Sequence, residues 1–120
     1  MSVLSQKYGT ILKGVLEVIP KVYQLTIGGV NMILIAEEEL TLIDTGFRGS
    51  SAHLIDLIHR VGRSVEEIGL IILTHNHYDH AGGLTDLNKL IKAKVAAHKA
   101  DIADVENQRI VRPSRTLACP

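Results

Sequence analysis

Short apolar runs separated by turn residues dominate the first third of the chain. Their alternation and their content of β-branched residues predict four strands, at residues 15–19, 22–27, 31–36 and 40–44. Pro20 interrupts the first two strands because proline cannot continue a ladder, and the acidic residues 37–39 are typical of a solvated hairpin turn. The pattern therefore predicts a meander of antiparallel strands.

The apolar spacing then becomes helical. Ser50 is predicted to cap a helix that runs to about Val61, with Gly62 ending it. The apolar stripe of this helix consists of Leu54, Ile55, Leu57, Ile58 and Val61. Ser64 and Glu67 lie three residues apart and predict a capping box, which begins a short helical turn.

The second half of the chain alternates strands and helices. The pattern predicts a buried strand at residues 70–74, a helix at 84–91, a strand at 94–97 and a helical turn or two at 98–105. Residues 111–120 contain two prolines and no periodicity, so they predict an arm or a disordered tail. We therefore divide the chain into a domain at residues 1–108 and a C-terminal arm at 109–120.

The six residues after the strand at 70–74 contain four potential metal ligands, His75, His77, Asp79 and His80. Zinc, iron and manganese all accept imidazole and carboxylate ligands. Packing is a poor explanation for this cluster, because histidine is rarely placed in quantity inside a core. The cluster therefore predicts a metal site rather than an ordinary polar loop.

The spacing within this motif favours two metal ions. Alternate side chains of an extended segment share a side, so His75, His77 and Asp79 project together. His80 then leaves on another side unless the chain bends, and Gly82 and Gly83 allow such a bend. We interpret this as His75 and His77 on a first metal and Asp79 and His80 on a second, with a water between them.

Residues 74–83, Thr-His-Asn-His-Tyr-Asp-His-Ala-Gly-Gly, resemble the signature of the metallo-β-lactamase superfamily. The sequence Leu-Ile-Asp-Thr-Gly at 42–46 resembles an upstream motif of the same family. Weaker similarity is found at residues 22–25, 29–32 and 95–98, so that the resemblance runs from about residue 15 to residue 106. It implies an α+β fold, an αββα sandwich of two sheets flanked by helices, with the metals at one edge. Since the family takes further ligands from its second half, the resemblance implies an N-terminal half-domain, a mixed sheet with flanking helices.

The resemblance also implies roles for single residues. His75 and His77 match ligands of the first metal, and Asp79 and His80 match ligands of the second. Asp44 matches a carboxylate beside the site, where an acceptor holds the free nitrogen of a ligating histidine. Without the resemblance, Asp44 could simply cap a turn. The expected metal is zinc, two ions per complete site, with iron or manganese as alternatives.

A complete metal pair would make the protein a hydrolase. Zinc lowers the pKa of a bound water to about 7, so that a metal-bound hydroxide can attack a carbonyl or phosphoryl centre at neutral pH. Asp79 would orient this hydroxide and carry a proton, which makes it the candidate catalytic residue. The expected substrate is a small molecule with an ester, thioester, lactam or phosphodiester bond, and nothing in the sequence selects among these.

An incomplete site is the alternative. A catalytic zinc normally has three protein ligands plus water, whereas each expected metal here has two. The chain would then be a metal-binding but catalytically incomplete half-domain that acts as an oligomerising or complementing module. Two copies could pair as a homodimer through their open sheet faces, or a missing C-terminal half could complete the domain. A structural interaction module with an empty motif is a third possibility, so whether the chain is an enzyme stays open.

Composition excludes some partners. Thirteen basic and thirteen acidic residues give a net charge of zero, and there is no basic block, so nucleic acid is not an expected partner. No apolar stretch approaches the length of a membrane span, and residues 1–20 lack the pattern of a signal peptide. Cys119 is the only cysteine and cannot form an internal disulfide. We therefore expect a cytoplasmic protein without a membrane partner.

The remaining histidines of the central region are weaker candidates. His53 and His59 lie six residues apart on a predicted helix, so they do not share a face. His98 resembles a position that is often histidine in the family, but no second ligand lies near it in sequence. We interpret all three as surface or structural residues.

Overall fold

Seven strands form one mixed sheet in the part of the chain that this computed structural model describes, residues 11–74 and 81–101. The strands follow chain order across the sheet and are β1 (Ile11–Leu12), β2 (Val15–Ile19), β3 (Val22–Ile27), β4 (Val30–Ala36), β5 (Leu40–Ile43), β6 (Ile68–Ile72) and β7 (Lys94–Ala96). Strands β1 to β5 pair antiparallel, which confirms the predicted meander. Strands β5, β6 and β7 pair parallel.

Helices connect the parallel strands, as parallel pairing requires. Helix α1 (Ser51–Arg60) and the 3-10 helix Val65–Glu67 join β5 to β6. Helix α2 (Leu84–Asn88) lies between β6 and β7, and a 3-10 helix, Lys99–Asp101, follows β7. Over residues 11–74 and 81–101, no helix is long and apolar enough to cross a membrane.

The core lies between α1 and one face of the sheet, which we call the inner face. Along β4 the burial alternates, with Met32, Leu34 and Ala36 buried and Ile33 and Ile35 half-buried between them. Leu54, Leu57 and Ile58 of α1 are fully buried against this face, which confirms the predicted stripe. Burying one such side chain contributes about 1.5–3 kcal/mol, so this layer stabilises the fold substantially.

The opposite face of the sheet is also apolar, but it is only half-buried among the described residues. We call it the outer face and define it by Ile33, Ile35, Ile43, Leu70 and Ile72. Ile33 pairs with Ile43, and Ile43 pairs with Ile72, so these side chains form a row across three strands. The sheet therefore has one packed face and one apolar face that is partly open.

The predicted ends of α1 are confirmed with one difference. Ser50 occupies the N-cap position, but its hydroxyl donates to Phe47 O at 2.7 Å and makes no hydrogen bond to the first turn of the helix. Gly62 follows the helix at a φ of 90°, a left-handed conformation that favours glycine. The predicted capping box is present, with the Ser64 N–H donating to Glu67 Oε2 at 2.8 Å.

Several predicted boundaries were wrong by a few residues. The strand predicted at 40–44 ends at Ile43, because Asp44 has a φ of 67° and leaves the extended conformation. The strand predicted at 70–74 begins at Ile68 and ends at Ile72. The helix predicted at 84–91 ends at Asn88, after which Leu90 and Ile91 N–H groups both donate to Leu87 O in a closing turn. Strand β1 was not predicted, and the predicted arm at 109–120 lies outside the described residues.

Candidate metal centre

Strands β5 and β6 end side by side, and Asp44 and Thr74 follow at this end of the sheet, which we call the motif end. The Asp44 N–H donates to Ile72 O at 2.7 Å. The Thr74 N–H donates to Asp44 Oδ1 at 2.9 Å, and the Thr74 hydroxyl lies 3.0 Å from Oδ1 and 2.8 Å from Oδ2. The Asp44 carboxylate therefore holds the residue that immediately precedes the histidine motif.

The backbone of Asp44 explains how its side chain reaches Thr74. Asp44 adopts a φ of 67°, and its side chain is buried, with 5% of the residue exposed. Aspartate is one of the few residues other than glycine that tolerate this left-handed region, because its short side chain forms local hydrogen bonds. Asp44 thus contacts the residue before the motif, while its expected place beside a metal stays a prediction. Its expected hydrogen bond to a ligating histidine stays a prediction.

The chain is also attached where it leaves the motif. Ala81 forms a parallel bridge with Gly46, and the Gly83 N–H donates to Gly46 O at 3.0 Å. A Cβ at Gly83 would lie 2.3 Å from Thr45 O, so only glycine fits this contact without a backbone shift. Gly46 itself has a φ of 75°, and a Cβ there would lie 2.7 Å from Ser50 Oγ. Two glycines thus permit the close approach.

Residues 44–46 therefore hold both flanks of the motif, Thr74 on one side and Ala81 to Gly83 on the other. The motif itself, with His75, His77, Asp79 and His80, lies outside the described residues. A ligand segment whose two ends are fixed loses less conformational entropy when a metal binds. The assignment of these four residues as ligands stays a prediction, and the described scaffold is suited to it.

Buried polar side chains are concentrated at the motif end. Within the described part of the chain, the polar or charged residues that are buried are Asp44, Thr45, Ser50 and Ser51. All four lie in one segment, between β5 and the first turn of α1. Burying a polar group is unfavourable unless it is hydrogen-bonded, so this segment is held by specific contacts rather than by apolar packing.

The histidines outside the motif occupy exposed positions. His53 and His59 are exposed on α1, as expected. His98 is exposed, and its Nδ1 accepts the Ala100 N–H at 3.0 Å, which places it at the start of the last 3-10 helix. Over residues 11–74 and 81–101, no group of three or more His, Cys, Asp or Glu side chains could hold a metal ion.

A groove of about 630 Å³ lies elsewhere, between the β2–β3 edge of the sheet and α1. Lys13, Gln24, His53 and Arg60 are among the residues that line it. Neither Asp44 nor Thr74 belongs to its lining, so the groove is separate from the residues that hold the flanks of the motif.

Two residues that hold the flanks of the motif were not identified from the sequence. Gly83 was interpreted only as a point where the chain can bend, whereas it makes the closest backbone approach at the motif end. Asp86 had no assigned role, yet its carboxylate accepts hydrogen bonds from the segment before α1. Glycines next to a ligand motif are a signal for the first, but no sequence pattern indicates the second.

The sequence model of the metallo-beta-lactamase superfamily matches residues 25–114. This match covers most of the chain, so the chain belongs to the metallo-β-lactamase superfamily, a superfamily of metal-dependent hydrolases that generally bind metal ions such as zinc. The predicted family and fold class are thereby confirmed.

Two bacterial proteins illustrate the sequence similarity. The chain is 42% identical over 57 residues to the Anti-Pycsar protein Apyc1 of Paenibacillus sp. (strain J14), covering 48% of this chain and 21% of that protein. It is 38% identical over 74 residues to the uncharacterized protein YobT of Bacillus subtilis (strain 168), covering 60% of this chain and 30% of that protein. The chain thus spans less than a third of either relative.

Solved structures give the same picture of a partial domain. BJP-1, a subclass B3 metallo-β-lactamase of Bradyrhizobium japonicum, matches 91% of this chain with a TM-score of 0.72 and 26% identity, over 45% of its own length. MEM-A1, a subclass B3 enzyme from a soil metagenome library, matches 66% of this chain with a TM-score of 0.62 and 34% identity, over 30% of its own length. The described sheet and helices therefore correspond to part of the metallo-β-lactamase fold.

Proposed function

We propose that this chain carries the first ligands of a zinc-dependent hydrolase centre, with His75, His77, Asp79 and His80 as those ligands. The observation that supports this most is the attachment of both motif flanks to residues 44–46. Three imidazoles and one carboxylate form a donor set that suits zinc, and iron or manganese would also accept it. The residue types and the scaffold thus fit a metal centre.

The residues of this chain would have different roles in the metal centre. Asp44 holds Thr74, so that His75 starts from a fixed point. His75 and His77 would bind a first metal, and Asp79 and His80 a second. A bound divalent ion supplies a Lewis acid and lowers the pKa of coordinated water. Asp79 would orient that water and accept a proton during hydrolysis of an ester, thioester, lactam or phosphodiester in a small molecule.

Zinc titration tests the ligand assignment. The purified chain is freed of metal with a chelator and then titrated with zinc against a chromophoric competitor. We expect His77→Ala to lose affinity by about tenfold or more, because one of few ligands is removed. His53→Ala is the matched control, since His53 is an exposed histidine of α1 and should leave affinity unchanged. Equal affinities of the wild type and His77→Ala would contradict the assignment.

Turnover is tested separately from binding. The wild type is assayed with zinc on generic ester and phosphodiester probes, and hydrolysis that disappears with chelation and in Asp79→Asn would support an enzyme. Zinc binding without turnover would instead support the second candidate, a metal-binding half-domain that requires a partner.

The outer face favours this second candidate. Ile33, Ile43 and Ile72 form a half-buried apolar row, whereas soluble monomers rarely leave large apolar patches open. The chain also spans 45% of BJP-1, whose domain is therefore longer. The proposed partner is either a second copy of this chain, paired as an isologous dimer, or the remaining half of the domain.

Native mass spectrometry distinguishes these partners, because it reports subunit number and zinc content together. A dimer that holds two or more zinc ions would support pairing of two copies. Ile43→Lys should then give monomers, since a charge is placed in the centre of the outer face. Leu90→Lys is the control, because Leu90 is 56% exposed and lies outside that face. A wild-type monomer without zinc at saturating zinc would contradict self-assembly and leave the missing half as the partner.

A further inference from the structure

Asp86 links the helix that follows the metal motif to the segment that follows β5. It lies in the first turn of α2, and its Oδ2 accepts the Gly49 N–H at 3.1 Å and the Ser51 hydroxyl at 3.3 Å. Gly49 and Ser51 lie at the start of α1, more than thirty residues earlier in the chain. One carboxylate oxygen therefore joins the N-terminal ends of the two helices.

This link adds to backbone contacts between the same segments, which include the Ala81–Gly46 bridge. Gly83, the N-cap residue of α2, donates to Gly46 O at 3.0 Å. Asp86 lies three residues after Gly83, and Gly49, whose N–H donates to Asp86, lies three residues after Gly46. Leu84 and Leu87 pack α2 into the core, and the Asp86 contacts add a polar attachment at its first turn. The residues after His80 are thus attached to the segment around the start of α1 at Ala81, Gly83 and Asp86.

We propose that Asp86 is a positioning residue for the metal centre, because it attaches the first turn of α2 and with it the point where the chain leaves the ligand motif. This rests on the proposed function, in which residues 75–80 supply the ligands. Asp86 is not among the proposed metal ligands, so its effect on zinc affinity would be transmitted through the backbone between α2 and the motif. Weakening such an outer contact typically lowers metal affinity tenfold to a hundredfold.

A simpler role is that the negative charge of Asp86 favours the N-terminus of α2, where the helix dipole is positive. The two roles differ in what Asp86→Asn does. Asparagine keeps an oxygen that can accept both the Gly49 N–H and the Ser51 hydroxyl, but it loses the charge. Asp86→Ala loses both. A positioning role through these contacts therefore predicts that Asp86→Asn restores most of what Asp86→Ala loses.

The test compares four proteins in the zinc competition titration: wild type, Asp86→Ala, Asp86→Asn and Asp56→Ala. Asp56 is the control, because it is an exposed carboxylate on α1 that pairs with Arg60 at 3.1 Å. We expect Asp86→Ala to bind zinc about tenfold more weakly. Asp86→Asn should stay within about twofold of the wild type because it keeps the accepting oxygen, and Asp56→Ala should do so because it is an exposed substitution away from the motif.

Amide hydrogen exchange of the metal-free proteins provides a second measurement. In Asp86→Ala the Gly83 amide should exchange faster, because α2 has lost its side-chain attachment to Gly49 and Ser51. The Leu34 amide, in the central strand β4, should exchange at the wild-type rate. This pair of amides separates loosening at the motif end from a general loss of stability.

Each possible outcome either supports or overturns the positioning role of Asp86. Zinc affinity of Asp86→Ala equal to that of a zinc-binding wild type overturns the positioning role and leaves the proposed function intact. An Asp86→Asn variant as weak as Asp86→Ala assigns the effect to charge and also overturns it. Faster exchange at both Gly83 and Leu34 overturns it in favour of general stability. A wild type that binds no zinc overturns the proposed function and this role together.

Discussion

The two ends of the sheet use polar residues in different ways. At the motif end, Asp44 and Thr45 are buried, and Asp44 holds Thr74 through its carboxylate. At the opposite end, polar residues form exposed ion pairs, such as Lys21 with Glu37 at 3.7 Å. Partly buried hydrogen bonds to a carboxylate fix geometry because water competes less for them, whereas exposed ion pairs contribute little. The comparison indicates that positional accuracy is concentrated where the histidine motif begins and ends.

The largest expected effect is that of Asp44→Ala. It removes a charged acceptor from the Thr74 N–H, which costs about 1.5–3 kcal/mol, and it places alanine at a left-handed φ at a further cost of about 1 kcal/mol. Glu37→Ala at the opposite end should cost less than about 0.5 kcal/mol. Urea unfolding measures both. Similar losses for the two variants would remove the contrast between the ends.

Asp44→Asn refines this prediction. Asparagine tolerates the left-handed conformation and keeps one oxygen acceptor. Its loss in unfolding free energy should therefore lie well below that of Asp44→Ala. If the two variants lose the same amount, then charge rather than geometry is what Asp44 contributes.

Alanine substitutions at two glycines should differ in how much they destabilise the protein. Gly83→Ala would bring a Cβ to 2.3 Å from a backbone oxygen, that of Thr45, and should cost about 1–3 kcal/mol through the shift this requires. Gly69→Ala, near the start of β6 at the opposite end, would meet only the carboxylate of Glu39, a flexible side chain that can move away. Its cost should be below about 0.5 kcal/mol. Thermal unfolding of both variants checks the order, and a larger loss for Gly69→Ala would contradict it.

A smaller expected effect is the change with salt in the coupling free energy between two interacting side chains. A double-mutant cycle on Lys21 and Glu37, whose exposed side chains meet at 3.7 Å, should give a small coupling that disappears in about 1 M NaCl. A cycle with Asp44→Ala and Thr74→Val should keep its coupling in high salt, because that contact is partly buried. Equal salt sensitivity of the two cycles would contradict the difference in burial.

The smallest expected effect is a pH dependence at the opposite end. The Ser64 backbone N–H, and then the Arg63 side chain, hold the pKa of the Glu67 carboxyl below its usual value. A carboxyl whose pKa is lowered by folding stabilises the protein above its unfolded pKa of about 4.3, and this contribution is lost as the pH falls through the folded pKa. The stability difference between the wild type and Glu67→Gln should therefore shrink between pH 6 and pH 3. A difference that grows on acidification would contradict the sign.

The sequence by itself determined most of the local structure. The alternation of apolar residues indicated β2 to β5, and the spacing of Leu54, Leu57 and Ile58 indicated the buried face of α1. Residue types in the motif indicated the class of chemistry, because histidine, cysteine and carboxylates are the usual zinc ligands in proteins. These features are readable since periodicity and ligand chemistry depend only on neighbouring residues.

The tertiary structure decided which distant residues meet at the motif end. Asp44 and Thr74 are 30 positions apart, and Gly49 and Asp86 are 37 apart. No local pattern specifies such contacts, because they arise only when the crossover through α1 brings β6 parallel to β5. The sequence therefore contained the ligand types, and the parallel pairing of two strands, driven by burial of their inner face, brought the anchoring residues together around the motif.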